Sequence, residues 1–278
     1  MIEHSLHKGF YLLVFTDLDG TLLEHETYSS EAAIPAINAL KEKNIPLIFC
    51  TSKTRAETEE IQFQLKNIHP FISENGGAIF IPKGYFSHKF HITREDANHL
   101  VIELGTPYTK LREVFNQMCT HLPGKLRGFG DLTLKEVADL CGFSPSHAIL
   151  AKKREYDEPF ILEDKTAEGL LQEMASSSNL EINRGGRFYH LTGPNDKGKA
   201  VLLLKDIYKQ QSARIKTVAL GDSLNDLPML KVADYPILVK KPDGSYDPSI
   251  KLDNLILAPE SGPKGWCEAM LNLLNKLD

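Results

Sequence analysis

F15-T-D-L-D-G-T-L-L23 closes the first apolar run of the chain with two carboxylates, Asp17 and Asp19, two residues apart. A strand buried in a sheet does not end in two acids unless a cation or a charged ligand compensates them. Just upstream, Y11-L-L-V-F15 is a continuous apolar run of strand length, suited to burial on both faces of a parallel sheet. Downstream, residues 29–44 predict a helix, with Ser29 or Ser30 as N-cap and Ile34, Ile37 and Leu40 along one face. Residues 45–52 predict the next strand, and residues 54–68 a helix with acids in its first turns, where the dipole favours them. Residues 70–82 predict two short strands around Gly76 and Gly77, a hairpin.

The texture changes between about Tyr85 and Arg187. Helices over residues 108–118 and 133–142 lie close together, and residues 158–164 and 187–193 have the pattern of half-exposed strands. The earlier alternation then resumes with a helix over 197–211, a strand over 217–222, a short helix over 225–234 and a strand over 235–239. A last helix carries Trp266, Met270, Leu273 and Leu277 on one side. The expected organisation is a parallel α/β core in two parts, residues 1–85 and 189–278, interrupted by an α+β domain over residues 86–188.

Bulk composition narrows the function classes. The 278 residues are enough for a sizeable core, and 42% hydrophobic with 25% charged residues is ordinary globular composition. Thirty-two basic side chains against 37 acidic ones give a net charge of −5, which offers no basic field to nucleic acid or to an anionic membrane. The first residues carry no long apolar core or small-residue cleavage site, and no run of 18 apolar residues occurs, so neither a signal peptide nor a spanning helix is expected. Cys50, Cys119, Cys141 and Cys267 are scattered and form no CxxC pair, which fits a reduced, cytoplasmic protein. The histidines and tyrosines show no metal-ligand spacing.

In open parallel sheets ligands bind beyond the carboxyl ends of the strands. Reactive residues fall there four times: Asp17 and Asp19, then Thr51 and Ser52, then Lys197 at a helix start, then Asp222, Asn225 and Asp226. Each alone has a plain alternative, whether a polar turn, a helix cap or a solvated lysine. Together, in this order, they resemble the haloacid dehalogenase (HAD) superfamily of phosphatases, whose signature is DxDxT, a Thr or Ser, a Lys, and GDxxND. The resemblance implies a Rossmann-like α/β core with an inserted α+β cap of the large, C2B type. Residues 51–57 (TSKTRAE), 73–80 (SENGGAIF), 153–160 (KREYDEPF), 184–191 (RGGRFYHL) and 262–266 (GPKGW) further resemble the mannosyl-3-phosphoglycerate phosphatases.

That resemblance implies Asp17 as nucleophile, Asp19 as general acid and base, and Mg²⁺ held by Asp17, Asp222 and the backbone carbonyl of Asp19. Lys197 and Thr51 are then expected to neutralise and bind the phosphoryl oxygens, Thr51 through its hydroxyl and its backbone N–H, with Asn225 and Asp226 in support. Ser52, Lys53 and Arg55 follow the phosphate-binding loop as candidate substrate contacts. Glu74 and Asn75 either bind sugar hydroxyls or close a turn. Arg184 and Arg187, with Lys153 and Arg154 behind them, are either carboxylate-reading cap residues or a solvated turn. The expected partner is a small phosphorylated sugar, bound by a monomer or homodimer. Another sugar phosphate, glucosyl-3-phosphoglycerate, sucrose phosphate or trehalose phosphate, is the alternative substrate, and a phosphomutase the alternative activity. A non-catalytic module would be expected to lose Asp17, Asp19 or Lys197, and the chain keeps all three.

Overall fold

The computed structural model describes residues 9–184, 188–212 and 214–278. The chain runs through β1 (Tyr11–Thr16), α1 (Ile34–Glu42), β2 (Leu47–Cys50), α2 (Arg55–Leu65), β3 (Phe71–Ser73) and β4 (Ala78–Pro82). It continues through β5 (Arg94–Glu95), β6 (His99–Glu103), α3 (Tyr108–His121), β7 (Leu126–Gly128), α4 (Leu134–Cys141), α5 (Pro145–Ala151) and β8 (Asp157–Leu162). Then come α6 (Glu168–Ser177), β9 (Glu181–Arg184), β10 (Tyr189–Thr192), α7 (Lys197–Lys209) and β11 (Ile215–Gly221). The chain ends with α8 (Leu227–Val232), β12 (Tyr235–Lys240), β13 (Ile256–Ser261) and α9 (Gly262–Leu277).

The large sheet has the order β13-β12-β11-β1-β2-β3-β4-β6-β5. It is parallel from β13 to β3 and antiparallel beyond. β1 sits near its middle, between β11 and β2, and its alternate residues feed two separate cores. Leu12 and Val14 pack with α1 and α9, including Ile37, Leu40, Trp266 and Met270. Tyr11, Leu13 and Phe15 pack on the other face with Val201, Leu204 and Met229 of α7 and α8. A strand covered by helices on both sides has no polar face, hence the unbroken apolar run. Along α1 the buried positions are Ala36, Ile37 and Leu40, whereas Ile34 is exposed, because the helix opens with a 3₁₀ turn that shifts its inward stripe. The hairpin β3–β4 forms as expected, with Phe71 opposite Phe80.

The second sheet is antiparallel, in the order β7-β8-β10-β9. Leu111, Phe115 and Met118 of α3 and Leu171 of α6 pack with its Phe160 and Leu191, and a smaller cluster around Phe129 and Val137 involves α4 and α5. Three expectations differ here. β5 and β6 extend the large sheet by pairing beside β4, so the inserted domain starts after Glu103 and not at residue 86. β10 is an inner strand of the small sheet, so that domain runs to Thr192 and not to 188. β8 and β10 are also almost wholly buried and not half-exposed, since Phe160 and Leu191 pack on α3 and α6 while Pro159 and His190 face the cavity. Partners distant in sequence decide all three, and local periodicity does not carry them.

Candidate active site

β1 ends at Thr16, and the next residue, Asp17, is anchored by its N–H to the Leu220 carbonyl at 2.9 Å. The Thr16 hydroxyl donates to the Asp17 carbonyl at 2.7 Å and accepts from the Trp266 indole N–H at 2.9 Å. The last helix therefore braces the turn that carries the acids. Lys197, fully buried at the start of α7, places Nζ 2.6 Å from Asp17 Oδ1 and 2.6 Å from Asp226 Oδ1. Burial alone would lower the lysine's pKa, but the two carboxylates outweigh it and hold the ammonium charged. Asp226 turns its other oxygen to the N–H groups of Asp222 and Ser223, at 3.0 and 3.1 Å, fixing the loop after β11. The Thr21 hydroxyl donates to Asp222 Oδ1 at 3.3 Å.

Asp17, Asp222 and Asp226 each bring an oxygen within 4.8 Å of the others. Three converging hard oxygen donors suit a small divalent cation such as Mg²⁺. Asp226 already spends both oxygens on Lys197 and the loop, which leaves Asp17 and Asp222 as the better donors. The converging carboxylates repel one another. Burial first, then Asp226, pushes Asp222 up to about 7. Burial also raises Asp17, with Lys197 pulling it down and Asp226 and Asp222 pushing it up. Gly20 leaves room beside this group, where a Cβ would lie 3.1 Å from Asp222 Oδ2.

Asp19 stands apart from the acidic cluster, so its side chain is not one of the converging donors. Its carboxylate lies 2.8 Å from Lys53 Nζ, and Lys53 is in turn 3.8 Å from Glu57. The same ammonium sits 4.8 Å from the centre of the Tyr28 ring and 5.7 Å from that of Phe143, one ring from the core and one from the inserted domain. Thr51 is buried at the end of β2, and its hydroxyl oxygen accepts from the Lys53 N–H at 3.1 Å. Its own N–H is bound to the Ile72 carbonyl at 3.0 Å, so only the hydroxyl remains for a phosphoryl group, contrary to the expectation for that N–H.

The SENGG loop closes onto this group. Asn75, with φ +55°, donates its N–H to the Thr51 carbonyl at 2.9 Å and accepts from the Asn225 amide at 3.2 Å. Glu74 accepts the N–H groups of Glu155 and Tyr156 in the inserted domain. Both therefore hold backbone in place and do not line the cavity beside them. That cavity, about 380 Å³, is lined from the core by Asp17, Asp19, Ser52 and Lys53 and from the inserted domain by Phe129, Phe143, Arg154 and His190.

Two expected substrate contacts fall elsewhere. Arg55 faces the opposite side of α2, paired with Glu59 at 2.7 Å and Asp96 at 2.8 Å and lying over the Phe80 ring. Arg184, on the outer strand β9, is exposed, stacks over Tyr189 and does not line the cavity. Arg187 lies outside the described residues. Arg154 does line the cavity, with its Nη1 2.9 Å from the Ser52 carbonyl. His190 went unassigned in the sequence. The sequence carried no signal for it, since its partner Asp157 lies just before the expected strand and their 2.7 Å contact forms only between β8 and β10.

The haloacid dehalogenase-like hydrolase family matches residues 14–110 and 151–243. The glucosyl-3-phosphoglycerate/mannosyl-3-phosphoglycerate phosphatase of Methanococcoides burtonii is 53% identical over 95% of this chain and 97% of its own length. The mannosyl-3-phosphoglycerate phosphatase of Pyrococcus horikoshii is 40% identical over 82% of this chain and 90% of its own. Among solved structures, the sucrose-phosphatase of Synechocystis superposes with a TM-score of 0.60 at 18% identity, covering 97% of this chain and 98% of that one, a likeness of fold alone.

Proposed function

Because the chain belongs to the haloacid dehalogenase-like hydrolases, we propose that it is a Mg²⁺-dependent phosphomonoesterase that removes the phosphoryl group from mannosyl-3-phosphoglycerate and its glucosyl counterpart. The observation that carries this reading is Lys197 locked between Asp17 and Asp226 at 2.6 Å, beneath a cavity of about 380 Å³. The names of the relatives at 53% and 40% identity supply the substrate class.

Asp17 is the nucleophile. Its free oxygen attacks phosphorus, the bond to the substrate oxygen breaks, and an aspartyl-phosphate forms. Asp19 gives the departing alkoxide its proton and then takes one from the water that attacks the acyl-phosphate, which regenerates Asp17 and releases phosphate. Lys53 holds Asp19 at the cavity wall for both transfers. Lys197 and the Thr51 hydroxyl face charge that builds on the phosphoryl oxygens. Asp17 and Asp222, with the Asp19 carbonyl, would hold Mg²⁺, which would supply positive charge against the phosphate as the anionic Asp17 approaches. The four cysteines are all free, which supports a reducing, cytoplasmic setting.

The test is phosphate release from a panel of esters, with and without Mg²⁺. The reading expects fast, metal-dependent release from the two glycosyl-3-phosphoglycerates and much slower release from sucrose and trehalose phosphates. Preference for either disaccharide phosphate, or undiminished release in EDTA, would overturn it.

A further inference from the structure

The mechanism above uses none of a second charged cluster on the roof of the cavity. Asp157 opens β8 and is fully buried. Its Oδ2 lies 2.7 Å from His190 Nδ1 and 3.4 Å from Arg154 Nη1. Its Oδ1 has no partner among the described residues. Burying a carboxylate with one oxygen unsatisfied costs stability, and a buried ion pair is a poor way to regain it, so the cluster is better explained by what it holds.

Its geometry aims unpartnered nitrogens at the cavity. A carboxylate only accepts, so the ring proton of His190 sits on Nδ1 and its Nε2 is left over, with no partner among the described residues. Arg154 spends Nε on the Ala151 carbonyl and Nη1 on Ser52 and Asp157, which leaves Nη2 without a partner among the described residues. Both side chains line the cavity. Through Ser52, Arg154 is tied to the residue next to Thr51, so the cluster stands beside the phosphoryl position. The cationic guanidinium, with Nη2 left over, suits a second, non-reacting anion.

We propose that Arg154 and His190, positioned by Asp157, form the subsite for the carboxylate of the substrate's glycerate group, a role that Arg184 does not fill. The inference rests on the phosphatase reading above. Binding there fixes the ester so that phosphorus meets Asp17.

The experiment compares kcat/KM for mannosyl-3-phosphoglycerate with that for its analogue in which the carboxylate is reduced to a primary alcohol. Wild type should prefer the acid by a hundredfold or more, and His190→Ala and Arg154→Lys should each cut that preference at least tenfold, mainly through KM. His190→Asn guards against misfolding, since its amide N–H keeps the bond to Asp157 while Nε2 is lost, and it should lose the preference as His190→Ala does. Equal losses on both esters, or a wild type that does not distinguish them, would overturn the subsite while leaving the phosphatase intact. A wild type that hydrolyses neither ester would overturn the phosphatase reading, and the subsite with it.

Discussion

Glu74 in the core accepts the backbone N–H of Tyr156 in the inserted domain at 2.7 Å, and that of Glu155 at 2.9 Å. The carboxyl is fully buried, and burial raises its pKa to about 8, with the nearby Arg154 partly offsetting the rise. Between its ordinary value of 4.5 and about 8 the folded protein binds a proton here that the unfolded chain does not, so this group's contribution falls as pH rises through that window. Glu74→Gln, which cannot ionise, should make the decline of the urea midpoint over that window shallower. An unchanged slope would assign the decline to other groups.

Asp17→Asn should abolish phosphate release while the protein still unfolds cooperatively, because an amide neither attacks phosphorus nor binds a cation as an anion. The free enzyme should also bind Mg²⁺ more tightly as pH rises through about 7, since a proton on Asp222 competes with the ion. Calorimetric titration at several pH values reads both the affinity and the protons released. Flat affinity across neutral pH would show that no proton on Asp222 competes with the ion in that range.

Asp19→Asn should leave Mg²⁺ binding in place, because the side chain is paired with Lys53 and stands outside the acidic cluster. Loss of proton transfer in both half-reactions should slow turnover by roughly a hundredfold or more. Lys53→Met acts through the same carboxylate, so adding it to Asp19→Asn should cost far less than it does alone. Additive losses would mean that Lys53 serves the substrate directly.

The core of the site was legible in the sequence because each of its residues follows a strand or opens a helix at one edge of one sheet. Asp17, Thr51 and Asp222 end runs whose burial is written in continuous apolar letters, and Lys197 starts an amphipathic helix. The inserted domain was not legible in the same way. Whether Arg184 reaches the cavity depends on β9 being the outer strand beside β10, and Arg154 is placed by its bonds to the Ala151 and Ser52 carbonyls, distant partners that periodicity does not show. Arg184 sits on an edge strand, and its guanidinium covers Tyr189. Arg55 was misplaced for a simpler reason: one helical step beyond the Thr54 cap turns it away from Lys53, toward Glu59 and Asp96.

Gly76 ties this geometry to stability. It adopts φ +88°, and a Cβ there would press on the Asp196 carbonyl, 2.5 Å from its carbon and 3.0 Å from the Lys197 nitrogen. The loop thus lies directly on the start of α7. Gly84 provides the control, with φ +77° and nothing within 4 Å of its Cβ position. Alanine at Gly84 should cost only the backbone strain, about 1 kcal/mol. Alanine at Gly76 adds a steric conflict with backbone that cannot swing aside, about 1–3 kcal/mol more. Whatever relieves the conflict must push Asp196 and Lys197 away, and Lys197 is held at 2.6 Å from Asp17. Gly76→Ala should therefore lower kcat as well as stability, while Gly84→Ala should lower stability alone. Chemical denaturation and phosphate release on the same two proteins separate the effects, and equal stability losses with unchanged turnover would show that the α7 start gives way at no cost to the site.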